Sequence, residues 1–134
     1  MRMNLAALTR DLVGEWPSYL ADWDRCLRAG NYPATTRYNY LLAATQLARY
    51  LQDEVDDARG AAEDPLAVQR AHIEAFQAWM IETRSAATAL NKHKGLQQFF
   101  TWLGEEEDRS GSPMDRVRQP RTPTRLIPIA AVLG

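Results

Sequence analysis

Apolar residues recur at helical spacing along most of the chain, and no stretch alternates apolar and polar positions for long. β-Branched residues are sparse, while Ala, Leu, Gln, Glu and Arg dominate, which favours helix. An all-α fold follows. Residues 17–29 carry the stripe Tyr19, Leu20, Trp23, Cys26 and Leu27, which Leu12 and Trp16 continue upstream. Pro17 is tolerated only in a first turn or at a kink, so residues 4–15 are predicted as a separate short helix. Gly30-Asn31 ends the first long helix. A second is predicted over 34–53, with Pro33 suited to its first turn. Tyr40, Ala43, Ala44, Leu47 and Leu51 fall within about 100° on its wheel, leaving Tyr38, Leu42, Thr45 and Arg49 on the far side. The acidic stretch 53–63 reads as a loop.

Asp64-Pro65 marks the start of a third helix over 65–82, an N-cap carboxylate followed by proline. Leu66, Ile73, Phe76, Trp79 and Met80 form its buried side. A fourth helix begins at Ser85 as N-cap. Its inward stripe is Ala89, His93, Leu96, Phe100 and Leu103. Arg84, Thr88, Asn91, Gly95 and Gln98 fall opposite, with Lys92 and Lys94 on either flank. Trp102 is expected to point outward, under the C-terminal tail. Beyond Asp108 the composition shifts: four of the seven prolines share the last 22 residues with Arg116, Arg118, Arg121 and Arg125. Residues 1–108 therefore read as one helical domain and 109–134 as an extended basic linker. The apolar ending LIPIAAVLG looks like a cut at a domain boundary.

With 134 residues, of which 46% are hydrophobic, the chain suffices for one domain with one core. No apolar run approaches the roughly 18 residues of a membrane span. Arg10 and Asp11 come too early for a signal peptide. A soluble, cytoplasmic protein is expected. One cysteine and two distant histidines make a metal site unexpected, and no cofactor or small-molecule ligand is expected either.

Net charge is −1, yet the charges are segregated. Arg25, Arg28, Arg37 and Arg49 lie in a stretch without acids. Arg84, Lys92 and Lys94 lie in another, and five arginines after Asp108 face only Asp115. Local sign decides where a phosphate backbone can dock. Catalytic sets are missing. His72 and His93 sit on or near core faces and read as packed, and the carboxylate clusters read as solvated surface. What remains is recognition. An α-helix fits the major groove, where Asn pairs with adenine, Lys reaches guanine or phosphate, and a Thr methyl meets thymine. Thr88, Asn91, Lys92 and Lys94 offer this chemistry beside a helix N-terminus, which itself attracts phosphate. A merely solvated polar face is the plain alternative.

The chain resembles the N-terminal core-binding domain of tyrosine recombinases, the phage-integrase type. Thr36-x-x-x-Tyr40 followed by Leu47 and Leu51 is similar to the family's second helix, and His72-Ile73-x-x-Phe76 to its third. Ser85-x-x-Thr88 with Leu96-x-x-Phe99-Phe100-x-Trp102-Leu103 is similar to its fourth. Ser112-Pro113-Met114, followed by Pro120, resembles the segment leading to the catalytic domain. Two positions depart from the pattern: Pro33, where a capping Ser is frequent, and Asn91, where a basic residue is.

The resemblance implies a four- to five-helix orthogonal, SAM-like bundle that clamps duplex DNA at a recombination core site. Its second and fourth helices would face the major groove. That points to Thr35, Thr36, Arg37 and Tyr38, and to Arg84, Thr88, Asn91, Lys92 and Lys94. Arg116, Arg118 and Arg121 would follow the backbone along the linker. Other recombinase protomers on DNA are the implied protein partners, and a bacterial or phage-encoded source is implied. The family's catalytic arginines, lysine, His-x-x-Arg and tyrosine belong to a second domain. His72 is followed by Ile-Glu-Ala and His93 by Lys-Gly-Leu, so neither begins that motif. The expectation is DNA binding without strand cleavage. The alternative is a small helical interaction module that docks through Trp102 and the apolar tail.

Overall fold

The helix-forming composition is realised in a computed structural model that describes residues 4–123. Among them lie six helices and no strand: α1 (Leu5–Leu8), α2 (Trp16–Ala29), α3 (Ala34–Asp53), α4 (Arg59–Glu63), α5 (Arg70–Thr83) and α6 (Ala86–Glu106). None of the helices is long and apolar enough to cross a membrane.

Capping chemistry sets the element boundaries. The Ser85 hydroxyl accepts the Thr88 N–H at 3.0 Å, which starts α6 where the sequence placed it. Asp64 accepts the Leu66 N–H at 2.9 Å, but the helix it opens is only a 3-10 turn, Pro65–Ala67. Val68 is extended and buried there, and α5 begins afresh after Gln69. The Gln69 N–H donates to Nδ1 of His72 at 2.9 Å, so His72 serves as a cap. The expected single helix over 65–82 is thus divided.

The predicted loop 53–63 contains α4. Its Ala61 and Ala62 are buried, and the Ala61 carbonyl accepts the indole N–H of Trp16 at 2.9 Å. The short helix expected over 4–15 is confined to α1. Gly14 follows with φ +63°, hard against the backbone of Glu63, where no Cβ could fit.

Helix α6 is the centre of the bundle. It packs on α3 and on α5, and its aromatic end meets α2. Trp16 stacks on Phe99, and Trp23 lies between Tyr40, Phe99 and Trp102. Tyr50, Phe76 and Trp79 form a second cluster between α3 and α5. A fully buried side chain of this size contributes about 1.5–3 kcal/mol, so these clusters dominate the stability. Trp102 therefore faces inward, against Tyr19 and Trp23. The tail residues 124–134, expected to cover it, lie outside the described residues. Inward positions of α6 are Ala89, Lys92, His93, Gly95, Leu96, Phe99, Phe100, Trp102 and Leu103, about half of its circumference. One stripe is not enough for a helix covered on two sides.

The segment expected as an extended linker begins as part of the body. Met114 and Val117 belong to the core, and Pro120 is buried as well.

Candidate nucleic-acid interface

The connection from α5 to α6 is two residues long, which turns the chain sharply and sets exposed Arg84 beside the start of α6. Along α6, Ala87, Asn91, Lys94, Gln98 and Thr101 face solvent on one stripe. No acid interrupts residues 83–104. Gly95 lies at the edge of this stripe. A Cβ there would stand 2.9 Å from the Ala43 Cβ and 3.5 Å from the Tyr40 Cα. The missing side chain lets α3 and α6 cross closely, with Asn91 and Gln98 one turn to either side of the crossing. The exposed first turn of α3, with Thr35, lies one turn from Asn39 at the same crossing. Thr36 and Tyr38 are partly exposed there. The crossing brings together the two segments that the sequence singled out.

Two expected site residues are placed differently. Lys92 is only 8% exposed and sits in the middle of the inward arc of α6, about 160° around the helix from Lys94. Burial holds its ammonium below the usual lysine range, and the charge of Arg84 adds to this. It makes no ion pair among the described residues. A wheel drawn for a single core stripe puts Lys92 on a flank; the second covering helix turns that flank inward. Arg37 is the other. Its guanidinium donates from Nε and Nη2 to Oδ1 of Asp24, both at 3.2 Å, and Asp24 is buried.

Arg37 is one case of a general correction. The four arginines of the acid-free stretch are all neutralised by acids from outside it. Arg25 pairs with Asp22 at 3.1 Å, Arg28 with Asp24 at 3.1 Å, and Arg49 with Asp11 at 2.9 Å. Segregation along the sequence is undone there by folding. It survives elsewhere: Arg84, Lys94, Arg116, Arg118 and Arg121 make no ion pair among the described residues and are exposed. Thr88 is partly exposed, and its hydroxyl accepts from Ser85 at 2.9 Å.

The Asp24 cluster yields a prediction. Asp24→Asn removes the carboxylate that holds Arg28 and Arg37, and the two guanidinium groups become available to any polyanion. We expect non-specific duplex binding to tighten and its salt slope to steepen by about 1–2. An unchanged slope in a salt titration would place α2 and the start of α3 away from DNA. The variant should also lose about 1–3 kcal/mol of stability, since Arg37 is left half-buried and unpaired.

Bundle architecture, an acid-free solvent stripe over Ala87 to Thr101 of α6 and the exposed arginines that follow the helix together define a small all-α module with unpaired cations on its surface. The family model described as phage integrase, N-terminal SAM-like domain, matches residues 19–108, more than half of the chain. The chain belongs to this family. Comparison with curated proteins and with solved structures gives no match.

Proposed function

We propose that this domain binds duplex DNA as the core-binding half of a tyrosine-recombinase clamp, and that strand cleavage requires residues it does not carry. The supporting observation is the acid-free run of the α6 solvent stripe from Ala87 to Thr101, which carries Lys94, with Asn91 and Gln98 on either side of the crossing with α3. Asn91 and Gln98 would meet base edges, with Thr35, Thr36 and Tyr38 alongside and Thr88 near the N-terminus. Lys94 and Arg84 would meet phosphates, and Arg116, Arg118 and Arg121 would extend the contact along the backbone. Arg37 and Lys92 drop out as direct contacts, for the reasons above. Other copies on the same DNA are the natural protein partners. The interaction-module alternative loses one of its two supports, because Trp102 is part of the core.

Fluorescence anisotropy with a random-sequence 30-mer duplex across a salt series tests this. Arg84, Lys94, Arg116, Arg118 and Arg121 are the exposed, unpaired cations proposed to meet phosphates. If each neutralises one, log K falls against log salt with a slope of about −4 to −5. Absence of binding at low salt would overturn the proposal for this domain.

A further inference from the structure

Gln77 of α5 and His93 of α6 are two of the few polar side chains buried in the core, at 8% and 4% exposure. The same two helices also bury the apolar side chains Ile73, Phe76, Met80, Ala89 and Leu96. The hydrogen bonds of Gln77 and His93 lead elsewhere. The Gln77 amide nitrogen donates to the backbone carbonyl of Arg118 at 3.1 Å, and its Oε1 lies 2.5 Å from Nδ1 of His93. A carbonyl can only accept, so the amide must turn its NH2 to Arg118 and its oxygen to His93. Nδ1 of His93 must then carry a hydrogen. Burial lowers the pKa of His93, which keeps the ring neutral, with its single proton on that atom. The relay has one polarity, from α6 through α5 to the segment after α6.

That segment is built to be held. A tight turn starts it: the Ser112 N–H donates to the Asp115 carboxylate, and the Val117 N–H to the Met114 carbonyl. Met114, Val117 and Pro120 then point inward at every third position, while Arg116, Arg118 and Arg121 stay exposed. Arg118 lies between the last two anchors, at the point that Gln77 grips.

We infer that Gln77 is a positioning residue that locks residues 114–120 as a strap on α5, so that Arg116 and Arg118 ride rigidly with α6. The packed body thus extends to Pro120 and does not stop at the end of α6. The docking is a property of the protein alone. Its consequence for DNA, that strap and α6 present their cations in a fixed register, rests on the function proposed above.

Limited trypsin digestion followed by mass spectrometry tests the lock without DNA. In the unaltered chain, cleavage after Arg121 should come first, with the bonds after Arg116 and Arg118 protected. Gln77→Ala should speed cleavage at those two bonds by about tenfold or more, because proteolysis follows the population of the open strap. Cleavage after Arg84 and Lys94, inside the bundle, should not change. Gln77→Glu is the second variant. It keeps an acceptor for His93 but turns a carboxylate oxygen on the Arg118 carbonyl, so it should release the strap while His93 stays held. Bonds after Arg116 and Arg118 that are cut as fast as Arg121 in the unaltered chain would overturn the inference. So would protection that survives both variants, or acceleration of all sites together in both. A lock that behaves as expected in a chain that binds no duplex would leave this inference standing and the functional proposal refuted.

Discussion

Gly95→Leu should abolish the folded state at room temperature or leave it barely stable. The Cβ of any residue at this position would come within 2.9 Å of the Ala43 Cβ, a contact that cannot turn away because alanine has no rotamer to change. One backbone must move. Gly95→Ala sets two effects against each other. The helix gains about 1 kcal/mol from the better helix former. Overpacking in a dense crossing costs about 1–3 kcal/mol. A net loss of about 1 kcal/mol is expected, measurable as a lower urea midpoint at constant m-value. Leucine adds three carbons with nowhere to go. It would also separate Trp23 from Phe99 and Trp102, the rings that join α2 to α6 across the same region. Gly95→Ala that raises the midpoint would show that the crossing relaxes by a few tenths of an ångström at little cost. The prediction matters for function because the same crossing aligns Asn91 and Gln98 with the first turn of α3.

The second large effect separates two lysines that the sequence treats alike. Lys94 is exposed and unpaired, and its replacement by glutamate should weaken duplex binding by about tenfold or more in moderate salt. A phosphate contact becomes a repulsion, and the salt slope should fall by at least about 1. Lys92 is buried and faces away from that stripe, so Lys92→Met should change affinity by less than about threefold. It should instead stabilise the domain, because a poorly solvated ammonium is replaced by an apolar side chain of similar length.

The pH dependence follows in sign. The folded chain binds the Lys92 proton more weakly than the unfolded chain does, so stability rises as pH climbs from the lowered value toward the usual lysine value. Lys92→Met should flatten that rise on the acid side of the usual lysine value. Tyr19 acts oppositely: its hydrogen bond to Glu107 lifts it to about 12, so its contribution is lost only above about pH 10. Equal loss of binding in Lys94→Glu and Lys92→Met would refute the placement of the interface on the solvent stripe of α6.

Local chemistry was legible in the sequence because it is local. The α3 range, the Ser85 cap and the inward stripe from Ala89 to Leu103 need only helical spacing and a capping residue, and the structure agrees on each. Family membership was legible too, from spaced residues over most of the chain. Features that depend on what covers what were not. A wheel gives the angle between Lys92 and Lys94, but not that α3 and α5 both pack on α6, which turns Lys92 and Gly95 inward, nor that α2 covers Trp102. A charge count along the chain cannot see Asp24 reach Arg37 or Asp11 reach Arg49, 13 and 38 residues apart. Nor can proline and arginine content show that Met114 and Val117 enter the core, since their burial depends on the packed helices, to which Gln77 of α5 ties the segment. The sequence by itself determined which segments are helices and which residue types could meet DNA. Tertiary packing decided which cations remain exposed and unpaired, because burial and ion pairing depend on neighbours distant along the chain.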